Sequence, residues 1–503
     1  MTVADVGPAT TVRTVGHWIG GRGEYSSRTL PVLDPATGAA VADMAVGSAE
    51  TVARAVAAAQ DSWPQWRDRT IVSRTRVLAR WAALVREHTD ELAASIALEN
   101  GKTLDDARGE LARGADALDA AVAGGAGLKG ELVEQTGSAV DTAMTLHSLG
   151  VCVGISPFNF PVMVPLAQAS FALAAGNTFV LKPSEQDPGP ALRIAELATQ
   201  ARIPDGVFNV VNGDRVTVEH LIDHPNVAAV AFVGSTPTAR SVYARAAANG
   251  KRAQAFGGAK NHLVVMPDAN LAAAADAVTS AAFGSAGQRC MAVTTAVAVG
   301  DVADRLVREL AIRARAIRIG AAHTTGTEMG PLISKDAQTR VRDSVSGAIA
   351  DGAVAVVDRS TEQPDGHPDG FFAGPAILDH VTADMEVYRH EVFGPVLGIV
   401  RVDSFDDAVT LIENNPYGNG SAIFTSDGAS ARAFQRRVPT GMVGINVPIP
   451  VPVATFGFAG WKASAFGDTG LHDASWRFYT RPKYVTSRWD ESRTGIDLGF
   501  RPN

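Results

Sequence analysis

The sequence predicts an α/β fold built from two large sheet-containing units, and three observations predict it. Short apolar runs alternate with helix-suited stretches from Gly150 onward, the pattern of a parallel sheet covered by helical crossovers. The chain has 503 residues, more than one hydrophobic core organises. It is 46% hydrophobic and 19% charged, which supplies apolar material for an extensive interior and enough charge to keep the surface solvated.

The elements follow in order. Val32 to Pro35 with Thr37-Gly38 reads as a short strand and a turn. Ala49 to Gln60 and Ile71 to Leu98 carry apolar positions at helical spacing, with an interruption expected at Pro64 because proline lacks the amide hydrogen and its ring crowds the preceding turn. Gly150 to Ile155, Thr178 to Leu181, Val207 to Val211, Ala229 to Val233 and Leu263 to Met266 read as successive strands of one parallel sheet. Such a sheet places ligand-contacting loops beyond its strand carboxyl ends. Ala272 to Ala282 and Val302 to Ile317 read as helices. A second α/β unit then runs from Cys290 through a Val396 to Val402 strand and the Gly441 to Asn446 segment. The polar stretch from Thr361 to Gly370 reads as a surface insertion.

Charge and cysteine content exclude several classes. Asp plus Glu number 53 against 45 Lys plus Arg, a formal charge of −8. This disfavours a nucleic-acid surface, although a local basic pocket can still hold an anionic cofactor. No basic segment followed by an apolar core opens the chain, and no uninterrupted membrane-spanning run occurs. Cys152 and Cys290 are the only cysteines, too few for a disulfide scaffold or a multi-cysteine zinc site. No metal is expected, and a cytoplasmic, reducing setting is.

Chemistry enters with the second thiol. In Gly284-Ser285-Ala286-Gly287-Gln288-Arg289-Cys290 a flexible turn can project a side chain into a crevice. A thiolate there can add to a carbonyl and later leave from a thioester, though a free cysteine is as readily a buried packing residue. Asn159, in Ser156-Pro157-Phe158-Asn159-Phe160-Pro161, can donate its side-chain amide to an oxyanion or merely satisfy a turn. Lys182 and Glu185 follow a strand and can donate to and accept from two ribose hydroxyls. Gly234-Ser235-Thr236 opens a helix whose amino terminus suits a pyrophosphate, without the usual GxGxxG pattern.

Taken together and in order, these segments resemble the aldehyde dehydrogenase superfamily, and within it the CoA-acylating methylmalonate-semialdehyde dehydrogenase branch. The resemblance runs from about Gly16 to Arg488. It rests on SPFNFP at 156–161, KPSE at 182–185, GAKNH at 258–262, GSAGQRC at 284–290, EVFGPV at 391–396 and GMVGINVPIPVP at 441–452. It implies an aldehyde dehydrogenase-like fold: a Rossmann-type NAD-binding domain over 1–130 and 150–265, an α/β catalytic domain over 266–470, and a small β oligomerisation arm from 131–149 with 471–503. It also implies a homotetramer, alternatively a homodimer.

For the site, the resemblance implies Cys290 as nucleophile and Asn159 as oxyanion donor. Ser156, Phe158, Lys182, Glu185, Ser235, Gly257 and Glu391 would contact NAD, with Glu391 at the nicotinamide ribose. Arg113 and Arg289 would bind the carboxylate of a small anionic semialdehyde, a task suited to guanidinium groups. One departure separates the chain from hydrolytic relatives: where those carry a glutamate before LGGK, this chain has Phe256, which cannot activate water. Coenzyme A is therefore the expected acyl acceptor. The alternatives are a non-acylating semialdehyde dehydrogenase that releases free acid, and a catalytically silent NAD-binding structural protein.

Overall fold

The computed structural model describes residues 13–125, 128–468 and 470–489; the chain tail expected to complete the arm beyond 489 lies outside them. An eight-stranded sheet and a seven-stranded sheet dominate the structure, with a three-stranded antiparallel arm beside them.

The first sheet has at its centre five parallel strands, in spatial order Arg252–Phe256, Val227–Val233, Val151–Ile155, Thr178–Lys182 and Phe208–Val210. Each is mostly apolar and buried almost throughout on both faces, as strands covered by helices on both sides must be. The chain lays down Val151–Ile155 first, proceeds to one side, then returns to place Val227–Val233 on the other. Strand order thus reverses between these two neighbours, the point where such sheets open a ligand crevice at their carboxyl ends.

Helices 49–67, 71–87, 89–100 and 104–124 pack on this sheet. The first runs through Pro64 rather than stopping there. Pro64 is solvent-exposed, so the carbonyl it leaves unpaired can be hydrated. Trp66 beyond it is fully buried and donates its indole N–H to the Leu173 carbonyl at 3.0 Å, which anchors the final turn. The expected 71–98 helix is two, divided at His88. No element was expected over 104–124, where the structure has a 21-residue helix capped by the Thr103 side chain.

The second sheet contains, in order, Val354–Asp358, Ala376–Asp379, Val396–Val402, Val293–Val299, Asn261–Val265, Gly420–Phe424 and Met442–Ile445. The strand expected at Leu263 to Met266 as the last of the first sheet belongs here instead, between Val293–Val299 and Gly420–Phe424. A uniformly apolar strand carries no mark of which sheet it joins. The chain returns to the first sheet at Ala465–Gly467, which pairs with Arg252–Phe256.

The arm consists of Glu131–Gly137, Val140–Ser148 and Thr480–Arg488, combining the two distant segments expected. Among the described residues no helix is long and apolar enough to cross a membrane, and no group of three or more His, Cys, Asp or Glu side chains could hold a metal.

Candidate active site

Strand register orders the loops at the first sheet's carboxyl edge. Lys182 pairs with Ile155, Ile155 with Phe232, and Val233 with Phe256, so Lys182, Ser156, Ser235 and Gly257 all stand at this edge or just beyond it. The Lys182 ammonium donates to Glu185 Oε2 at 2.8 Å, holding the two as a unit with Lys182 buried and Glu185 half-exposed. Burial works to raise the Glu185 carboxyl, but Lys182 outweighs it and the group sits below the usual carboxylate range.

Two groups at the crevice have unspent hydrogen-bonding capacity. The Ser156 hydroxyl is buried with no partner among the described residues. Ser235 precedes the 13-residue helix Thr236–Ala248 and shares a hydrogen bond with Thr238 at 2.9 Å, leaving the first-turn N–H groups without a side-chain cap. A helix amino terminus of this kind favours an anion.

The second sheet meets this edge with its strand amino ends. Val233, Phe256 and Gly257 from the first sheet and Cys290, Met291 and Asn419 from the second line one cavity of about 440 Å³. Asn159, Arg113 and Arg289 line it too. The structure thereby brings together both expected catalytic residues and both expected substrate-binding arginines, drawn from three separate stretches of sequence.

Cys290 follows a turn that is strained rather than flexible. Ser285, Ala286 and Gly287 all have positive φ, at 50°, 52° and 68°, and the first two are not glycine. Such backbone persists only where its surroundings over-determine it. Asp106 does part of this, accepting from the Ser285 N–H and hydroxyl, both at 3.1 Å. Arg289 joins the same carboxylate at 2.5 Å and the Ser285 hydroxyl at 3.1 Å.

Burial, then the nearby Glu391 carboxylate, pushes the Cys290 thiol up to about 12. Glu391 is itself pushed up to about 7 by burial, against the Ala259 N–H that donates to it at 3.0 Å. The segment before it is tied down by Lys260, whose buried ammonium donates to the carbonyls of Val387 at 2.5 Å and His390 at 3.0 Å. Phe158 packs edge-on against Phe393, centroids 5.7 Å apart, and so bridges the two sheets' loops. Cys152, by contrast, is fully buried in its strand and does not line this cavity.

The Asn159 segment is fixed from below. The Lys102 ammonium donates to the Asn159 carbonyl at 2.6 Å and to Glu110 at 2.7 Å. Glu110 accepts from the N–H groups of Val162 and Met163, and Asn100 donates to the Phe158 carbonyl at 2.8 Å. The Asn159 side chain makes no hydrogen bond among the described residues and lines the cavity, so its amide is available to a developing oxyanion. Lys102, Asp106, Glu110, Asn261 and Asn419 were not singled out from sequence. Only the first three had a legible cue, a threonine cap followed by two aspartates that mark the start of the 104–124 helix.

Comparison with known proteins places this arrangement. The model described as "Aldehyde dehydrogenase family" matches residues 23–485. A malonate-semialdehyde dehydrogenase of Pseudomonas aeruginosa is 46% identical over 95% of this chain and 97% of its own length. The acylating, mitochondrial methylmalonate-semialdehyde dehydrogenase of Arabidopsis thaliana is 44% identical over 94% of this chain and 78% of its own. Among solved structures, the methylmalonate-semialdehyde dehydrogenase of Oceanimonas doudoroffii superposes with a TM-score of 0.94 at 45% identity, covering 96% and 99% of the two chains. A Sinorhizobium meliloti structure solved with NAD gives 0.95 at 43% identity, covering 97% and 99%.

Proposed function

The chain belongs to the aldehyde dehydrogenase family, and on that premise we propose that it oxidises malonate and methylmalonate semialdehydes with NAD and passes the acyl group to coenzyme A. The β-carboxylate leaves as carbon dioxide, giving acetyl-CoA or propionyl-CoA. The observation that carries this reading is the single cavity lined by Cys290, Asn159, Arg113 and Arg289: a nucleophile, an oxyanion donor and two cations for an anionic substrate.

The residues present fit NAD. Lys182 and Glu185 offer a donor and an acceptor to the adenosine ribose, the uncapped helix at Ser235 suits the pyrophosphate, and the orphaned Ser156 hydroxyl has a bond to make. Phe158, Gly257 and Glu391 complete the set toward the nicotinamide end. When bound, NAD supplies the hydride acceptor. The chain's own groups do the rest. The Cys290 sulfur adds to the aldehyde carbon, and the Asn159 amide donates to the oxygen as it gains charge. Arg113 and Arg289 hold the carboxylate, and oxidation leaves a thioester on Cys290. The thiol of CoA then takes the acyl group and frees the cysteine.

In this reading the first sheet's unit binds NAD, the second carries catalysis, and the arm joins subunits in a homotetramer, alternatively a homodimer, in the cytoplasm. Leu132, Val133, Tyr484 and Val485 on the arm are exposed, apolar area that favours self-association. Mass analysis of products formed from malonate semialdehyde, NAD and ample CoA tests the function, with Cys290→Ala as the inactive control. Acetyl-CoA with NADH and carbon dioxide is expected. Free acid as the dominant product would reject acyl transfer, and an unimpaired Cys290→Ala would reject the mechanism.

A further inference from the structure

We propose that Asn261 and Asn419 are positioning residues for the nucleophile: together they grip the Cys290 carbonyl and thereby set the orientation and polarity of the peptide that follows the thiol. The Asn261 side-chain amide donates to the Cys290 carbonyl at 2.9 Å, and Asn419 donates to the same oxygen at 3.0 Å. Both acceptor positions of that carbonyl are therefore taken by side chains. Each asparagine is only 4% exposed.

Neither amide can turn over without loss. Asn261 also donates to the Ala292 carbonyl at 2.9 Å, while its oxygen accepts from the Gly420 N–H at 3.1 Å. Asn419 reaches the Met291 sulfur at 2.9 Å with its donor side. Two elements of the second sheet thus converge on one peptide: Asn261 opens the Asn261–Val265 strand and Asn419 precedes Gly420–Phe424. On the other side of Cys290 lies the left-handed turn at Ser285 to Gly287, which relaxes unless both its ends are held.

The grip has an electronic consequence. The Cys290 carbonyl and the Met291 N–H belong to one planar peptide. Donors on the oxygen polarise it and strengthen the N–H as a donor. The N–H groups of Met291 and of Cys290 itself favour the thiolate, opposing burial and Glu391, with Arg289 as the cation that assists. A substrate-free cysteine so deeply disfavoured as an anion gains from each such donor.

This inference rests on Cys290 being the nucleophile, and the test separates the two. Cys290 alkylation by iodoacetamide, followed by mass spectrometry across about pH 7 to 9.5, reads thiolate availability without any turnover. A rapid-mixing NADH burst on malonate semialdehyde reads the chemical step, and a fluorescence titration reads NAD affinity. In Asn419→Leu, which keeps the volume and removes the donor, the alkylation profile should move to higher pH by about half to one unit, the worth of one hydrogen bond. The burst should slow about three- to tenfold with NAD affinity unchanged. Asn261→Ser, which keeps one donor, should shift less than Asn261→Ala. Unchanged alkylation in folded variants overturns the proposal, as does a burst loss explained by weakened NAD binding. If Asn419→Leu fails to fold, Asn419→Ser carries the same comparison. A burst that survives Cys290→Ala would instead overturn the functional reading, leaving the alkylation shift to decide this one.

Discussion

Arg289 donates to Asp106 at 2.5 Å within the cavity that Cys290 lines, so one of the two guanidinium groups expected to clamp a carboxylate already holds one. Arg113 lies seven residues after Asp106 on the same helix and face, and makes no hydrogen bond or ion pair among the described residues. The two arginines are thus not equivalent. Arg113 lines the cavity with no ion pair among the described residues, whereas Arg289 also braces the turn through Ser285.

Arg113→Leu is therefore expected to cut kcat/KM for malonate semialdehyde by about tenfold to a hundredfold, the range of a charge-assisted hydrogen bond, while barely affecting propanal. Arg289→Leu should impair both aldehydes, because it also loosens the turn before Cys290. Steady-state kinetics on the two substrates distinguishes the roles. Equal, parallel losses in the two variants would show that the Asp106 contact makes no difference.

Glu391 gives a pH-dependent stability with a definite sign. Its carboxyl is raised from an ordinary 4.5 to about 7, chiefly by burial. The fold therefore favours the protonated form: the group's contribution is fully present below about pH 4.5 and is lost as pH rises through 7. Glu391→Gln keeps an oxygen for the Ala259 N–H and removes the buried charge. It should raise Tm at pH 8, by up to about 3 kcal/mol of stability, and leave Tm unchanged near pH 4.5. Thermal denaturation at both pH values checks this, and an equal shift at both would refute the assignment.

The parts of this site legible in the sequence were those with a local cause. The strands ending at Ile155, Lys182 and Val233 are short apolar runs, and the turns after them announce themselves through Pro, Gly and Ser. The arm was visible only by resemblance, since Glu131–Gly137 is mostly exposed and carries no alternating apolar face. Nothing local joins Asn261, in the GAKNH segment, or Asn419 to Cys290: 158 residues apart, they meet there only because their strands are neighbours in the second sheet. The same sheet membership is invisible in the Leu263 to Met266 run, whose strand lies between Val293–Val299 and Gly420–Phe424. Contacts made by strand order are non-local, and a local pattern cannot encode them.

On the proposed NAD site, the Lys182–Glu185 pair is expected to set the cofactor preference. In the proposed reading its half-exposed carboxylate lies beside the adenosine ribose, where it would repel an added 2′-phosphate. NAD should therefore exceed NADP in kcat/KM. Glu185→Gln should narrow the difference by about tenfold, as expected for one removed charge contact near the surface. Matched kinetics with both cofactors is the measurement, and an NADP preference in the unmodified protein would overturn the placement of Glu185.

Under the proposed function, Phe256 is expected to decide what accepts the acyl group. It ends the Arg252–Phe256 strand, is 3% exposed, and packs edge-on against Phe458 with centroids 5.6 Å apart while lining the Cys290 cavity. Of the carboxylates that share this lining, Glu110 is held by Lys102, Asp106 by Arg289, and Asp105 and Asp116 are exposed to solvent. At the Phe256 position a thioester on Cys290 would therefore meet an apolar wall in place of a base, whereas a thiol acceptor needs little such help. Without CoA, the protein should give a burst of NADH and then turn over slowly. Phe256→Glu places a carboxylate on that wall, where burial raises it toward the range of a useful base. It should increase the slow, CoA-independent phase by about a hundredfold, the lower end of general-base catalysis, release free acid, and leave the burst itself unaltered. Phe256→Gln has nearly the same shape without the base and controls for loosened packing, with Tm recorded for both. Rapid-mixing absorbance with product analysis reads the outcome. If the glutamate and glutamine variants hydrolyse alike, or the unmodified protein already releases acid as fast, then Phe256 is packing alone and the choice of acceptor lies elsewhere in the cavity.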